Sequence, residues 1–287
     1  MQMIDTHVHV WTNDPEYPWA SKPANTLQYD AHPEALLKVM EEQCIEWAVL
    51  VQYVGYGWDN RYVLHVQKRF PAKFIAVCRV NPADHAAPDH LSFWTEVHGF
   101  RGVRISPDPL QTGDWFAKPL MVPLFKRANE LDVPVLILTK PPRLTDLATI
   151  LEQVPETGIV LDHMADCLYG TNAEIEQLLD LARYPRVYLK LGHISTETAH
   201  LYPPPDTYSF LKRVYETYGA SRIMWGSDWP FCLGKSTYAQ ALTHFRDEMS
   251  FLTAEDLDWI YEKTALKFWR FPAAASDHPE GVPKLEP

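Results

Sequence analysis

Residues 4–10 read IDTHVHV, an apolar run that ends in two histidines separated by a single valine. If this run is a β-strand, His7 and His9 project from the same face, because side chains two positions apart lie on one side of a strand. Such a pair suits metal binding or acid–base chemistry. An isolated H-x-H is also compatible with polar residues that close an exposed strand, so the rest of the chain must decide between these interpretations.

A second strand with a polar tip lies near the other end of the chain. Residues 222–230 read RIMWGSDWP, and their apolar run ends at the carboxylate of Asp228. Two such strands at opposite ends of one sequence suggest a closed barrel, in which the first and last strands are neighbours. His7, His9 and Asp228 would then meet although the whole barrel separates them in sequence.

Between these ends, further apolar runs alternate with amphipathic stretches. The runs are almost continuous in Val, Ile and Leu, which is typical of strands buried on both faces of a parallel sheet. Predicted strands cover residues 3–10, 47–53, 74–80, 102–106, 133–139, 158–163, 187–192 and 222–228. Predicted crossover helices cover residues 32–43, 60–69, 121–131, 144–153, 173–182 and 207–218.

This alternation predicts an α/β fold, a single-domain (β/α)8 TIM barrel over residues 1–271, with chemistry at the C-terminal ends of the strands. A doubly wound open sheet is the alternative, but no G-x-G-x-x-G or phosphate loop follows the first strand. Residues 11–30 form a long loop with prolines and aromatic residues, which we expect to shape a binding mouth. Residues 272–287 lack periodicity and predict a C-terminal tail.

The composition bounds the class of protein. With 287 residues, 46% of them hydrophobic and 22% charged, the chain can bury one large core. A formal net charge of -11 argues against nucleic-acid and anionic-membrane partners, but it does not exclude an anionic small substrate. The chain has no signal-like or bilayer-length apolar segment, and its four cysteines lack paired spacing, so we expect a cytoplasmic protein. A homodimer fits a barrel of this size, although no residue pattern demonstrates one.

Polar side chains at the C-terminal ends of barrel strands converge on one pocket, whatever their separation in sequence. Histidines and carboxylates are concentrated on the first, sixth and eighth predicted strands. In strand order the polar strand-end residues are His7 and His9, Gln52 and Tyr53, Arg79 and Asn81, Arg104 and Ser106, Thr139 and Lys140, Asp162 and His163, Lys190 and His193, and Asp228.

Five segments of the chain are similar to those of a known family. They are DTHVH at 5–9, GFRGVR at 99–104, LDH at 161–163, VYLKL at 187–191 and GSDWP at 226–230. In their order and strand positions they resemble the amidohydrolase-2 branch of the amidohydrolase superfamily. Within that branch they resemble a lactonase-like group that includes 2-pyrone-4,6-dicarboxylate lactonase and sugar-acid lactonases. The resemblance extends from about Met3 to Phe271.

The resemblance implies a TIM barrel that hydrolyses a lactone or a similar cyclic ester. Asp228 would be the general base that takes a proton from the attacking water. His7, His9 and His163 would polarise the carbonyl and stabilise the oxyanion, directly or through a divalent metal. The plainer interpretations are a strand-end ion pair or helix N-cap for Asp228 and a core histidine for His163.

The resemblance also implies a candidate metal site, whose ligands would be His7, His9, His163 and Asp228, with Zn2+ or Mn2+ as the ion. Related proteins with well-formed metal sites usually supply a carboxylated lysine or a histidine from the middle strands, whereas the fifth strand here ends in Thr139 and Lys140. Both a metal-bound and a metal-free enzyme therefore remain open. His193 is an additional candidate ligand.

Basic residues at the strand ends of this acidic protein predict a locally positive pocket and an anionic or sugar-lactone substrate. They are Arg79, Arg104, Lys140, Arg143 and Lys190. Arg104 is the best candidate for a substrate carboxylate because its family counterpart faces the pocket, whereas Lys140 and Arg143 are more typical of surface salt bridges. Candidate apolar walls are Tyr53, Tyr56, Trp58, Trp115 and Trp229.

Two other functions are compatible with the same sequence. The resemblance includes metal-dependent decarboxylases of aromatic or enoic acids, but these usually carry histidines on more of the middle strands. A catalytically silent barrel that acts as a scaffold is the third hypothesis. The presence of both histidines and of Asp228 argues against it, because a scaffold has no evident need for them.

Overall fold

Eight parallel strands form the centre of the molecule in a computed structural model that describes residues 2–21, 30–106, 120–192 and 207–272. The strands are β1 (Met3–Val8), β2 (Ile45–Val51), β3 (Phe74–Val77), β4 (Val103–Ile105), β5 (Val135–Ile137), β6 (Ile159–Leu161), β7 (Val187–Leu191) and β8 (Ile223–Trp225). All eight were predicted, and each forms at the expected place. Residues 273–287 of the predicted tail lie outside the described residues.

The strands follow one another around the sheet in chain order. They form two parallel sheets, β1-β2-β3 and β4 to β8, and single parallel bridges join the sheets at both seams. At the seam between β3 and β4, the amide of Cys78 donates to the carbonyl of Gly102 at 3.0 Å, and the amide of Arg104 donates to the carbonyl of Cys78 at 2.7 Å. This order is that of a TIM barrel, as predicted.

The second seam joins the two ends of the chain. The amide of Asp228 donates to the carbonyl of His7 at 2.9 Å, and the amide of His9 donates to the carbonyl of Trp229 at 2.8 Å. Because both bonds lie just beyond the C-terminal end of β8, they place the tips of the first and last strands side by side.

Ten α-helices cover the described part of the barrel. They are α1 (Pro33–Glu42), α2 (Arg61–Arg69), α3 (Ala87–Ser92), α4 (Met121–Glu130), α5 (Leu144–Leu151), α6 (Asn172–Asp180), α7 (Tyr208–Tyr218), α8 (Tyr238–Glu248), α9 (Ala254–Asp258) and α10 (Thr264–Phe268). The six predicted helices all form, whereas α3, α8, α9 and α10 were not predicted. Capping boxes at Thr237 and Thr253 start α8 and α9, and these are signals that the sequence does contain. None of the described helices has the length and apolar character of a membrane span.

Alternate strand residues face the barrel interior. The inner cluster contains Ile4, Val49, Ile75, Leu136, Val160, Tyr188 and Met224, together with Trp47 and Trp269. Intervening residues such as Ala48 and Ile137 belong to the larger cluster that packs the strands against the helices. By the same alternation, Lys190 shares the inner face of β7 with Tyr188, and Asp162 follows Val160 on the inner side of β6.

Asp5 fastens the seam between β8 and β1. This fully buried carboxylate accepts hydrogen bonds from the amide of Ser227 at 2.9 Å, the amide of His7 at 3.1 Å and the hydroxyl of Tyr238 at 2.7 Å. Burial outweighs these three bonds and raises the pKa of Asp5 to about 6.

The raised pKa of Asp5 predicts a pH dependence of stability. Between the ordinary value of 3.8 and about 6, the folded protein retains a proton that the unfolded chain has released. The stabilising contribution of Asp5 to the free energy of unfolding is therefore fully present below this window. It falls by about 3 kcal/mol as the pH rises through the window to above about 6. In urea unfolding, we expect the stability advantage of the wild type over Asp5→Asn to shrink across this window. A pH-independent difference would contradict the assignment.

Candidate active site

Three side chains meet at the C-terminal end of the barrel. His7 Nε2 lies 3.1 Å from His9 Nε2, and Asp228 Oδ1 lies 3.3 Å from His9 Nε2 and 3.6 Å from His7 Nε2. All three residues are at least 98% buried, with exposed fractions of 0%, 2% and 2%. Two imidazoles and a carboxylate whose donor atoms all lie within 4.8 Å of one another form a group that could hold a metal ion.

The tautomer of His9 follows from its surroundings. Its Nδ1 lies 2.7 Å from the carbonyl oxygen of Val51 on β2. Because a carbonyl only accepts, Nδ1 carries the proton, and a neutral His9 presents a lone pair on Nε2 to the cluster. This bond from Nδ1 to a backbone carbonyl orients the ring so that Nε2 can bind a metal or accept a proton.

Two glycines allow the strands to bring His7 into the cluster. A Cβ atom on Gly226 would lie 2.7 Å from the Cβ of His7 and 3.0 Å from its amide nitrogen. A Cβ atom on Gly192 would lie 2.4 Å from the carbonyl oxygen of Gly226. The ends of β7, β8 and β1 therefore approach more closely than any larger residue permits.

His163 lies beside this group in an unusual backbone conformation. Its ring centroid is 4.7 Å from that of His7, and only 5% of the residue is exposed. His163 and the next three residues all have φ between 53° and 56°, and Asp228 has φ 58°. Such values cost roughly 1–2 kcal/mol each for residues with a Cβ atom, so backbone strain is concentrated at two predicted catalytic residues. Of the four predicted metal ligands, the structure groups His7, His9 and Asp228, with His163 next to His7 but outside the group.

Behind His7 lies a buried network of charges from three strands. Lys190 Nζ is 2.9 Å from Asp162 Oδ1 and 3.0 Å from His7 Nδ1, and Arg104 Nε donates to Asp162 Oδ2 at 3.0 Å. His7 Nδ1 is also 3.3 Å from Asp162 Oδ1. The predicted substrate-binding residues Arg104 and Lys190 therefore both contact Asp162, which sequence reasoning placed at a strand end but gave no role.

Burial and charge together set the protonation of this network. Burial alone would raise the pKa of Asp162, but Lys190, His7 and Arg104 hold it well below its ordinary value. Burial lowers the pKa of Lys190, against the attraction of Asp162. Burial and then the charge of Lys190 hold the pKa of His7 well below its ordinary value, so the ring is neutral near pH 7.

Arg79, also predicted to bind substrate, is fully buried beneath the loop that follows β2. Its guanidinium donates to the carbonyl of Gly57 at 3.0 Å and lies 4.6 Å from the ring centroid of Trp58. These contacts tie the loop to the barrel, so the placement favours a supporting role for Arg79. Lys140 forms an ion pair with Asp166, and its side chain is largely exposed. Such solvent-exposed ion pairs add little to the stability of the fold.

Aromatic rings line the His9 side of the site. The ring centroid of Tyr53 lies 5.6 Å from that of His9, 5.1 Å from that of Trp11 and 5.7 Å from that of Phe231. Trp229 is 4% exposed and follows Asp228 directly, with its carbonyl bonded to the amide of His9. Of the other predicted candidates, Trp115 and His193 lie outside the described residues.

A TIM barrel with a histidine–carboxylate group at the C-terminal ends of its strands has the architecture of a barrel enzyme. The sequence profile of the Amidohydrolase family (Amidohydro_2) matches residues 4–271, and the chain belongs to this family.

Three comparisons place the chain among known proteins. It is 28% identical over 235 residues to an L-fucono-1,5-lactonase of Burkholderia ambifaria, covering 79% of this chain and 80% of the relative. It is 26% identical over 230 residues to a 4-sulfomuconolactone hydrolase of Hydrogenophaga intermedia, covering 79% of this chain and 74% of the relative. A crystal structure of an amidohydrolase from Burkholderia multivorans with bound zinc superimposes with a TM-score of 0.77 at 20% identity, covering 95% of this chain and 100% of that one. At this level of identity, the comparison with the zinc-bound structure bears on the fold alone.

The close approach at Gly226 predicts a specific sensitivity. We expect Gly226→Ala to lower the free energy of unfolding by roughly 1–3 kcal/mol, because the new methyl group meets the Cβ and the backbone of His7. Gly234→Ala is the matched control, since nothing lies within 4 Å of the position of its added Cβ. Equal free energies of unfolding for the two variants in urea would show that the seam accommodates the added methyl group, and would contradict the prediction.

The left-handed turn after His163 predicts an unusual tolerance of glycine. Ala165 has φ 55°, so Ala165→Gly relieves roughly 1–2 kcal/mol of strain that offsets the lost burial of a methyl group. We expect a free energy of unfolding near that of the wild type. Ala128→Gly, at an equally buried position in α4, lacks this relief and should lose about 1–2 kcal/mol. Similar losses in both variants would argue against strain at this turn.

Proposed function

We propose that the protein is a lactonase, which opens an anionic or sugar-acid lactone by attack of water on the ring carbonyl. The observation that carries this proposal is the buried group of His7, His9 and Asp228 at the mouth of an amidohydrolase-family barrel. The names of the two curated relatives, an L-fucono-1,5-lactonase and a 4-sulfomuconolactone hydrolase, support the same reaction. They give no support to the alternative of decarboxylation.

Asp228 acts as the general base. Its carboxylate takes a proton from water as the water oxygen bonds to the lactone carbonyl carbon. The tetrahedral species then breaks its bond to the ring oxygen, and Asp228 returns the proton to the departing alkoxide. The product is an open-chain hydroxy acid, whose new carboxyl group releases its proton to the solvent, so that it carries one carboxylate more than the lactone.

The developing oxyanion needs a positive or hydrogen-bonding partner. His163, whose ring lies 4.7 Å from that of His7, donates a hydrogen bond to this oxygen. The Nε2 atoms of His7 and His9 lie beside the carboxylate of Asp228, 3.6 and 3.3 Å from its Oδ1.

The donor set also fits a divalent metal. His9 presents an Nε2 lone pair, and His7 and Asp228 place further nitrogen and oxygen donors beside it, which is the ligand chemistry of Zn2+ and Mn2+. These three residues would hold the ion, and it would supply Lewis-acid activation of the carbonyl.

The interior cations give the substrate preference. Arg104 and Lys190 carry two positive charges against the single charge of Asp162, so this buried network has one excess positive charge, which offsets the carboxylate of Asp228. The two cations favour an anionic lactone over a cationic one, and they also stabilise the carboxylate that ring opening creates.

The test is lactone hydrolysis followed by proton release, with metal content measured before and after chelation. We expect turnover of sugar-acid or anionic lactones, and a loss of kcat of about 10²–10⁴-fold in Asp228→Asn with little change in KM. Asp146→Asn is the control, because Asp146 pairs with Arg143 on the surface.

Each outcome of this test is decisive for one assignment. Full activity of Asp228→Asn would exclude Asp228 as the base, and failure to open any lactone would overturn the proposed reaction. Activity that is lost on chelation and restored by Zn2+ or Mn2+ would make His7 and His9 metal ligands. Activity that survives chelation would make them direct hydrogen-bond partners.

A further inference from the structure

His7 has two buried partners at the same ring nitrogen. Its Nδ1 lies 3.0 Å from Lys190 Nζ and 3.3 Å from Asp162 Oδ1. An ammonium group only donates hydrogen bonds, and an ionised carboxylate only accepts them. Lys190 therefore requires a lone pair on Nδ1, whereas Asp162 requires a proton there, and one nitrogen satisfies one partner at a time.

The other ring nitrogen of His7 adds to the preference for Lys190 as the partner of Nδ1 when no cation is bound. His7 Nε2 lies 3.1 Å from His9 Nε2, which carries a lone pair because His9 Nδ1 donates to Val51. Two lone pairs would repel at this distance, so the contact is favourable when His7 Nε2 holds the proton. His7 Nδ1 is then unprotonated and accepts a hydrogen bond from Lys190.

A divalent cation reverses this choice. A cation bound by His7 and His9 through Nε2 needs a lone pair on both atoms, so the proton of a neutral His7 must lie on Nδ1. From there it donates to Asp162. Lys190 stays paired with Asp162 at 2.9 Å in both states, and Arg104 holds the second oxygen of Asp162 at 3.0 Å.

We propose that Lys190 and Asp162 are positioning residues that hold His7 in one neutral tautomer in the metal-free protein and in the other when a divalent cation binds. The arrangement lets the site accept a cation without leaving a buried charge unpaired, which would be costly inside the barrel. The inference rests on the proposed function only in treating His7 and His9 as metal ligands.

The test is long-range ¹H–¹⁵N NMR of the full chain labelled with ¹⁵N-histidine, first after chelation and then with added Zn2+. His7→Gln assigns the His7 signals. We expect the proton of His7 on Nε2 in the chelated protein and on Nδ1 with Zn2+, while His9 keeps its proton on Nδ1 throughout. His244, a buried histidine on α8, is the internal control and should not change. One tautomer of His7 in both states, or no response of its signals to Zn2+, would overturn the inference.

A variant tests the role of Lys190 directly. Lys190→Met removes the donor at nearly constant volume, so the weak contact of His7 Nε2 with the neutral ring of His9 must then compete alone with a stronger, charge-assisted bond from His7 Nδ1 to the carboxylate of Asp162. We therefore expect the chelated variant to hold the proton of His7 on Nδ1. Tyr188→Phe, on the same inner face of β7, is the matched control and should behave like the wild type. An unchanged Nε2–H tautomer in Lys190→Met would exclude Lys190 as a determinant of the His7 tautomer. If this variant does not fold, the comparison of the chelated and the Zn2+-loaded wild type still tests the tautomer switch.

The two proposals can fail separately. A protein that opens no lactone, but whose His7 proton moves on Zn2+ binding, would overturn only the proposed function. A lactonase whose His7 keeps one tautomer would overturn only the tautomer switch.

Discussion

The hydrogen bonds between β1 and the segment after β8 are the constraint on which the site depends. They join the amide of Asp228 to the carbonyl of His7 and the amide of His9 to the carbonyl of Trp229, at 2.9 and 2.8 Å. If this seam opened, the two histidines and the carboxylate would lie on opposite edges of a sheet. Asp5 reinforces the seam from within, although its burial is costly enough to raise its pKa to about 6.

Each buried charge inside the barrel is stabilised by the opposite charges beside it. Asp162 is fully buried and is stabilised as an anion by Lys190 and Arg104, and burial disfavours the charge on Lys190. Such a network is stable only when every member has its partner, so it also fixes geometry. His7 is the member that reaches from this network into the site, which links the buried charges to the proposed chemistry.

Backbone strain and close packing orient the remaining functional side chains. Left-handed backbone conformations at His163 and Asp228 persist because the surrounding strands and loops enforce them. Gly226 and Gly192 permit the close approach of three strand ends, since a larger residue at either position would meet backbone atoms. These features lie at strand ends, where the regular sheet no longer dictates the path of the chain.

The sequence by itself determined the eight strands, their order, six helices and the convergence of His7, His9 and Asp228, because apolar runs and polar strand tips are local patterns. It also contains the capping boxes at Thr237 and Thr253 that start α8 and α9. Only the tertiary structure decided that Lys190 contacts Asp162 and His7, and that Arg79 supports a loop. Contacts between side chains of neighbouring strands depend on register and rotamer, and no single strand encodes either of these.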